Sequence, residues 1–154
     1  HVAFEEIRNL FLRHRHLKIV AFNMNYDLSI LDAEMKRHNT SVTFGKWFSE
    51  NAKLIDGLVI DRHKDKYRKG KRNLETQARH YGVEFDPEAL HNARADVELT
   101  AQVTVKILEK FGAPSTKEQS TWYRSWADGF EEFKKRTDPE FKMDNKSWPL
   151  AEGQ

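Results

Sequence analysis

The sequence predicts an α/β domain in which helices outweigh strands. Two short apolar runs carry that expectation. Residues 17–22 (Leu-Lys-Ile-Val-Ala-Phe) and 54–56 (Leu-Ile-Asp) are each followed directly by residues at helical spacing, the order of an α/β unit. Downstream, residues 94–111 and the stripe Trp122, Trp126, Phe130 and Phe133 both repeat at helical period.

Val2, Phe4, Ile7, Leu10 and Phe11 predict an opening helix, with Glu5 and Glu6 suited to its first turn and Arg13, His14, Arg15 and His16 closing it. The branched, apolar run 17–22 predicts a buried strand, and 23–26 the turn out of it. Leu28, Ile30, Leu31, Ala33 and Met35 predict a second helix ending near His38 and Asn39. Residues 41–53 are weakly patterned, with Phe44, Trp47 and Phe48 as anchors. A second strand at 54–56 leads into a helix over 57–66, which the basic run 68–72 interrupts. Residues 74–81 form a short helix with Gly82 placed to cap its C-terminus. Asp86-Pro87 marks a turn, and Gly112 and Pro114 end the long helix over 94–111. The later aromatic stripe predicts an amphipathic helix packed on the body, stopped by Asp138-Pro139, then an irregular tail with Trp148 as anchor. Two parts follow: residues 1–113, and residues 114–154 as a helix and tail packed on them.

At 154 residues the chain suits one domain able to bury a core. Lysine and arginine number 26 against 24 acids, which excludes a polybasic tail but leaves room for a local basic patch. With no cysteine there is neither a disulfide nor a thiolate zinc site, which suits a cytoplasmic location. No run is apolar enough to cross a membrane and no signal peptide is visible, so no membrane partner is expected. Glycine-rich phosphate loops and nucleophile elbows are absent.

Three constellations can carry chemistry. His91-Asn92-Ala93-Arg94-Ala95-Asp96 places an imidazole ahead of a helix and a carboxylate in its first turns. Such an acid can hold a hard cation and such a base can deprotonate water; the plainer reading is a helix start with an ordinary N-terminal acid and a surface histidine. Asp27, just past the first strand, sits where α/β sheets open toward ligands, with Asn23 and Asn25 beside it as nucleotide donors. It could equally cap the next helix. Asp56 has the same ambiguity and leans structural. Arg62, Lys64, Lys66, Arg68, Lys69, Lys71 and Arg72 attract phosphate, with Tyr67 among them able to stack on a base. The alternative is a solvated face.

In order, these stretches resemble the DEDDh 3′–5′ exonucleases, the group of the proofreading epsilon subunit of bacterial DNA polymerase III. Residues 20–28 (Val-Ala-Phe-Asn-Met-Asn-Tyr-Asp-Leu), with Leu31 and Glu34, are similar to the second exonuclease motif of that group. Residues 54–58 resemble the strand and turn that follow. Tyr81-Gly82-Val83 leading to His91 through Asp96 resembles the third motif in its histidine form, and 68–74 resembles epsilon-like proteins of bacteria and phages. The resemblance implies a ribonuclease H-like fold and hydrolysis of nucleic acid, DNA being the expected polymer, from a 3′ end to nucleoside 5′-monophosphates. Two Mg2+ or Mn2+ ions would straddle the scissile phosphate. Asp96 and Asp27 would hold metal, and His91 would activate the attacking water. Asn23, Tyr26, Arg68, Lys69, Lys71 and Arg72 would contact the substrate.

The first motif of that group, Asp-x-Glu on an opening strand, does not precede Asp27 here, and the chain begins at His1 rather than Met. The expectation is a fold truncated at its N-terminus, lacking the opening strands and two of four carboxylates, so that cations bind weakly and catalysis by this chain is in question. A bared strand edge favours self-association; a polymerase is the other protein partner the resemblance allows. The rival reading is a non-catalytic module that binds nucleic acid or a partner.

Overall fold

The computed structural model describes residues 2–14, 16–38, 52–89 and 92–151. In chain order these form α1 (Val2–Arg13), β1 (Lys18–Ala21), α2 (Met24–Arg37), β2 (Lys53–Asp56), α3 (Gly57–Lys64), α4 (Leu74–Tyr81), a 3-10 turn (Pro87–Ala89), α5 (Ala93–Phe111) and α6 (Thr116–Lys135). The α/β class and the dominance of helices agree with the sequence.

The two strands pair in parallel, with Lys18 opposite Lys53, Ile19 opposite Leu54, Val20 opposite Ile55 and Ala21 opposite Asp56. Successive strand residues point to opposite faces, and the core divides accordingly. Leu54 joins Met24, Leu28, Met35, Val59, Tyr123, Ala127 and Trp148 on one face, with Phe4, Ile7 and Phe11 of α1 packed against them. On the other face Ile55 joins Ile60, Ala78, Leu99, Val103 and Ile107 from α3, α4 and α5. A helix must approach closely here: a Cβ on Gly57 would lie 2.9 Å from the buried Thr104 hydroxyl of α5.

Parallel pairing brings the C-terminal ends of β1 and β2 side by side, so α2 and α3 start together. Asp56 lies between them, fully buried. Its carboxylate accepts the backbone N–H of Asn23 (3.1 Å) and Met24 (2.9 Å), those of Leu58 and Val59 at the head of α3, and the Trp148 indole N–H at 3.2 Å. Burial pushes this carboxyl above its ordinary value, and the hydrogen bonds from Trp148, Asn23, Met24 and Val59 pull it back only in part. The outer edge of β2 is closed by side chains of α6. Gln119 accepts the Asp56 N–H at 2.8 Å and donates to the Leu54 carbonyl at 2.8 Å, and Thr116 accepts the Leu54 N–H.

Several expectations need correction. The turn predicted at 23–26 is instead Phe22 and Asn23: Asn23 takes a left-handed conformation (φ 69°), and α2 begins at Met24 because Asp56 satisfies its first N–H groups from across the sheet. Asp27 is therefore not the cap of α2. The strand read as buried is half exposed, since Val20 is 41% exposed while its register partner Ile55 is 2% exposed. Helix α3 stops at Lys64, short of Lys66. Phe133, counted with the packing stripe, is 60% exposed. The anchors Phe44, Trp47 and Phe48 lie outside the described residues. Helix α4 matches its predicted bounds and ends at Gly82 in the left-handed region (φ 66°) as expected. Trp148 is buried, as an anchor should be. Among the described residues no helix is long and apolar enough to cross a membrane.

Replacing Asp56 by Asn keeps its size but turns one acceptor oxygen into a donor facing N–H groups. Thermal melting should show a loss of about 1–3 kcal/mol, the cost of leaving buried donors unpaired. An unchanged melting temperature would mean that the node is not what joins the two helix starts.

Candidate functional site

An open cleft of about 690 Å3 runs along the exposed side of β1. Val20, Ala21 and Phe22 line it from the strand, and Asp27 from the first turn of α2. Asn73, Leu74 and Glu75 line it from the head of α4, and Asp96, Val97, Thr100 and Ala101 from α5. Two residues 69 positions apart in sequence, Asp27 and Asp96, thus share one cleft. Each stands in the first turn of a helix, where the N-terminal dipole favours a carboxylate. Asn92 caps α5 by accepting the Arg94 and Ala95 N–H groups at 3.0 and 3.4 Å, which fixes the helix that carries Asp96.

Burial, and then the neighbouring Asp56 charge, push the Asp27 carboxyl above its ordinary value of 3.8. That is the behaviour of an acid held where negative charge is costly. Glu75 is a third carboxylate of the cleft that the sequence reading missed, and it is paired with Arg79 at 3.0 Å. Among the described residues no group of three or more His, Asp or Glu side chains is placed to hold a metal ion. The donor type of Asp27 and Asp96 fits a hard divalent cation, whereas the number of donors falls short of what one needs.

The other predicted residues fall in different places. His91 lies outside the described residues. Asn23 and Tyr26 flank the start of α2, both exposed, Tyr26 at 63%. Asn25, read as a nucleotide donor, is held by the tail instead. It donates to the Ser147 carbonyl at 2.7 Å and accepts from Asn145 at 3.1 Å.

The basic stretch divides in two. Arg62 packs its guanidinium 3.8 Å from the centre of the Trp126 ring. Arg68 and Arg72 turn inward onto Asp61, which has no exposed surface. Arg68 reaches its two oxygens at 3.1 and 2.8 Å, and Arg72 donates to the same carboxylate. Gln77 and Tyr81 complete the set at 2.6 Å each. Lys64, Lys66, Lys69 and Lys71 remain exposed. Nothing local in the sequence distinguishes the two arginines from the lysines; the signal is a buried acid one helix away, with partners 7, 11, 16 and 20 positions downstream.

Comparison with known proteins adds nothing to these observations: no family model, curated protein or solved structure matches the chain.

Burial pushes the Asp61 carboxyl up, but hydrogen bonds from Tyr81, Gln77 and Arg72 and the Arg72 charge outweigh it and hold the group below its ordinary 3.8. A depressed acid stabilises the fold above its unfolded-state value and loses that contribution as pH falls through the folded one. Stability should therefore drop in acid below about pH 3.8, with the segment between α3 and α4 released as Asp61 protonates. Asp61→Asn should be less stable at neutral pH and show a flatter acid limb in chemical-denaturation curves; an acid limb identical to wild type would assign that drop to other carboxylates.

Proposed function

We propose that the chain carries part of a metal-dependent 3′–5′ exonuclease site on a ribonuclease H-like fold, hydrolysing nucleic acid, DNA in the first place, to nucleoside 5′-monophosphates. The observation that supports this best is the cleft that unites Asp27, in the first turn of α2, with Asp96, at the head of the long helix. These are the two carboxylates that the motif resemblance assigns to the metals, and no spacing rule required them to meet. Asp27 and Asp96 would offer oxygens to Mg2+ or Mn2+, with phosphate oxygens and water filling the remaining positions. A bound divalent cation supplies Lewis acidity and a more acidic water. His91, which directly precedes Asn92 in the chain, would take that water's proton. The exposed Asn23 and Tyr26 flank the strand end where the terminal nucleotide would sit.

A second reading has its own support. With no group of three or more His, Asp or Glu side chains placed to hold a metal ion among the described residues, the chain fits a module that binds nucleic acid or a protein partner without cutting. A polymerase and a second copy of the chain are the partners to test.

Digestion of a 5′-labelled single-stranded DNA with Mg2+ or Mn2+ decides between them. Shortening from the 3′ end that is lost in Asp96→Asn and in chelator supports the nuclease; wild type and variant giving the same undigested product supports the binding module. Cation uptake has a pH signature as well. The raised Asp27 carboxyl holds its proton at higher pH than an ordinary aspartate. Mn2+ affinity, read by electron paramagnetic resonance, should begin to fall with decreasing pH while ordinary aspartates are still ionised, and Asp27→Asn should remove that early fall. A titration following the ordinary aspartate value would detach Asp27 from the cation.

A further inference from the structure

The segment between α3 and α4 makes a sharp division between anchor and surface. Arg68 and Arg72 fix it from within. Beyond their bonds to Asp61, Arg68 reaches Asp65 (3.1 Å) and Gln77 (2.8 Å), and Arg72 donates to the carbonyls of Asp65 (2.6 Å) and Arg68 (3.1 Å). Gly70 makes the turn at φ 99°, a left-handed conformation that side-chain-bearing residues rarely adopt. What this clamp pushes outward is cationic and aromatic. Tyr67 is 85% exposed, which is far from ordinary for so large a ring, and the Lys66 ammonium lies 4.8 Å from its centre. Lys69 and Lys71 stand exposed on the same short segment.

We infer that this segment is a preformed binding site for single-stranded nucleic acid, in which Tyr67 stacks on an unpaired base and Lys66, Lys69 and Lys71 hold the phosphates on either side. An aromatic platform with cations around it matches bases that alternate with phosphates, and a base in a duplex does not offer its face. A general anion such as a lipid headgroup would use the lysines and leave the ring idle. Because the arginines already hold the loop, little backbone ordering opposes binding. The segment also leads to the cleft: Arg72 is followed by Asn73, which caps α4 by accepting the Thr76 N–H at 3.0 Å and lines the cleft with Asp27 and Asp96. The inference rests on the nucleic-acid reading above and narrows it to an unpaired strand, entering at Tyr67 and directed toward the carboxylates.

The test is fluorescence anisotropy of a 5′-labelled oligothymidylate in EDTA, so that binding is read without cleavage. A strand of equal length with abasic sites, a duplex and vesicles containing phosphatidylserine serve as comparisons. Tyr67→Ala should weaken oligothymidylate binding by about five- to a hundredfold and leave the abasic strand nearly unchanged, with Tyr67→Phe restoring affinity. Lys69→Ala combined with Lys71→Ala should weaken both strands and lower the slope of log affinity against log salt by about 1.4. Since Tyr67, Lys69 and Lys71 are exposed, the circular dichroism melt of each variant should match wild type. Three results overturn the inference: unchanged binding by Tyr67→Ala, equal weakening on normal and abasic strands, or vesicle and duplex binding as tight as the single strand. Asp96-dependent hydrolysis without any effect of the loop variants on binding would sink this site alone. Loop-dependent binding with no Asp96-dependent hydrolysis would sink the nuclease instead.

Discussion

One buried carboxylate organises the molecule. Asp56 ends β2, caps α3 and receives the first N–H groups of α2 and the indole N–H of Trp148. Each helix start brings N–H groups without intrahelical partners, and the parallel strands deliver two such starts to one point. An apolar residue there would leave at least four buried donors unpaired. A charged one is costly to bury but is repaid by several N–H bonds at once. The position of Asp27 on the cleft follows from this arrangement, since α2 can begin two residues after β1 only while Asp56 holds its first turn.

The two strand edges are treated differently. Side chains of α6 satisfy the outer edge of β2, Gln119 taking both an N–H and a carbonyl as a neighbouring strand would. On the side of β1, by contrast, Val20 stays exposed beside the apolar Val97 and Ala101 of α5, and that uncovered strip forms the wall of the cleft. The carboxylates of Asp27, Glu75 and Asp96 share that cleft with these apolar side chains. A second buried acid, Asp61, repeats the logic of Asp56 at smaller scale: it gathers side chains rather than helix starts, and what it steadies is a loop.

How much of this could be read in advance depends on the range of the interactions. Helix α4, with its predicted bounds and Gly82 at its end, follows from local preferences and was legible. So was α6, whose aromatic stripe repeats every turn, and so was the tail anchor Trp148. The start of α2 was misplaced because its cap lies 32 positions away on another strand, and no local residue announces it. The fate of Arg68 and Arg72 was hidden for the same reason: composition records their charge but not the Asp61 that absorbs it. Asp27 and Asp96 were both singled out from the sequence, each with an ordinary structural explanation beside it; their common cleft is a property of the fold. Glu75 went unnoticed because an acid in the first turn of a helix is unremarkable until the helix is placed.

The long reach of the Trp148 bond, 92 residues from Asp56, bears on how the protein is made. A ribosome releases both strands and both helix starts well before it adds the residue that completes the node. Until then the nascent chain holds a carboxylate with four backbone donors and no lid, and the face built from Met24, Leu54 and Val59 lacks its buried tryptophan. Cotranslational folding can therefore settle α3, α4 and α5 early, around Ile55 and Ile60, while the Leu54 side waits for the tail. Synthesis runs in one direction, so the chain supplies the last partner of Asp56 only after every residue buried around Ile55.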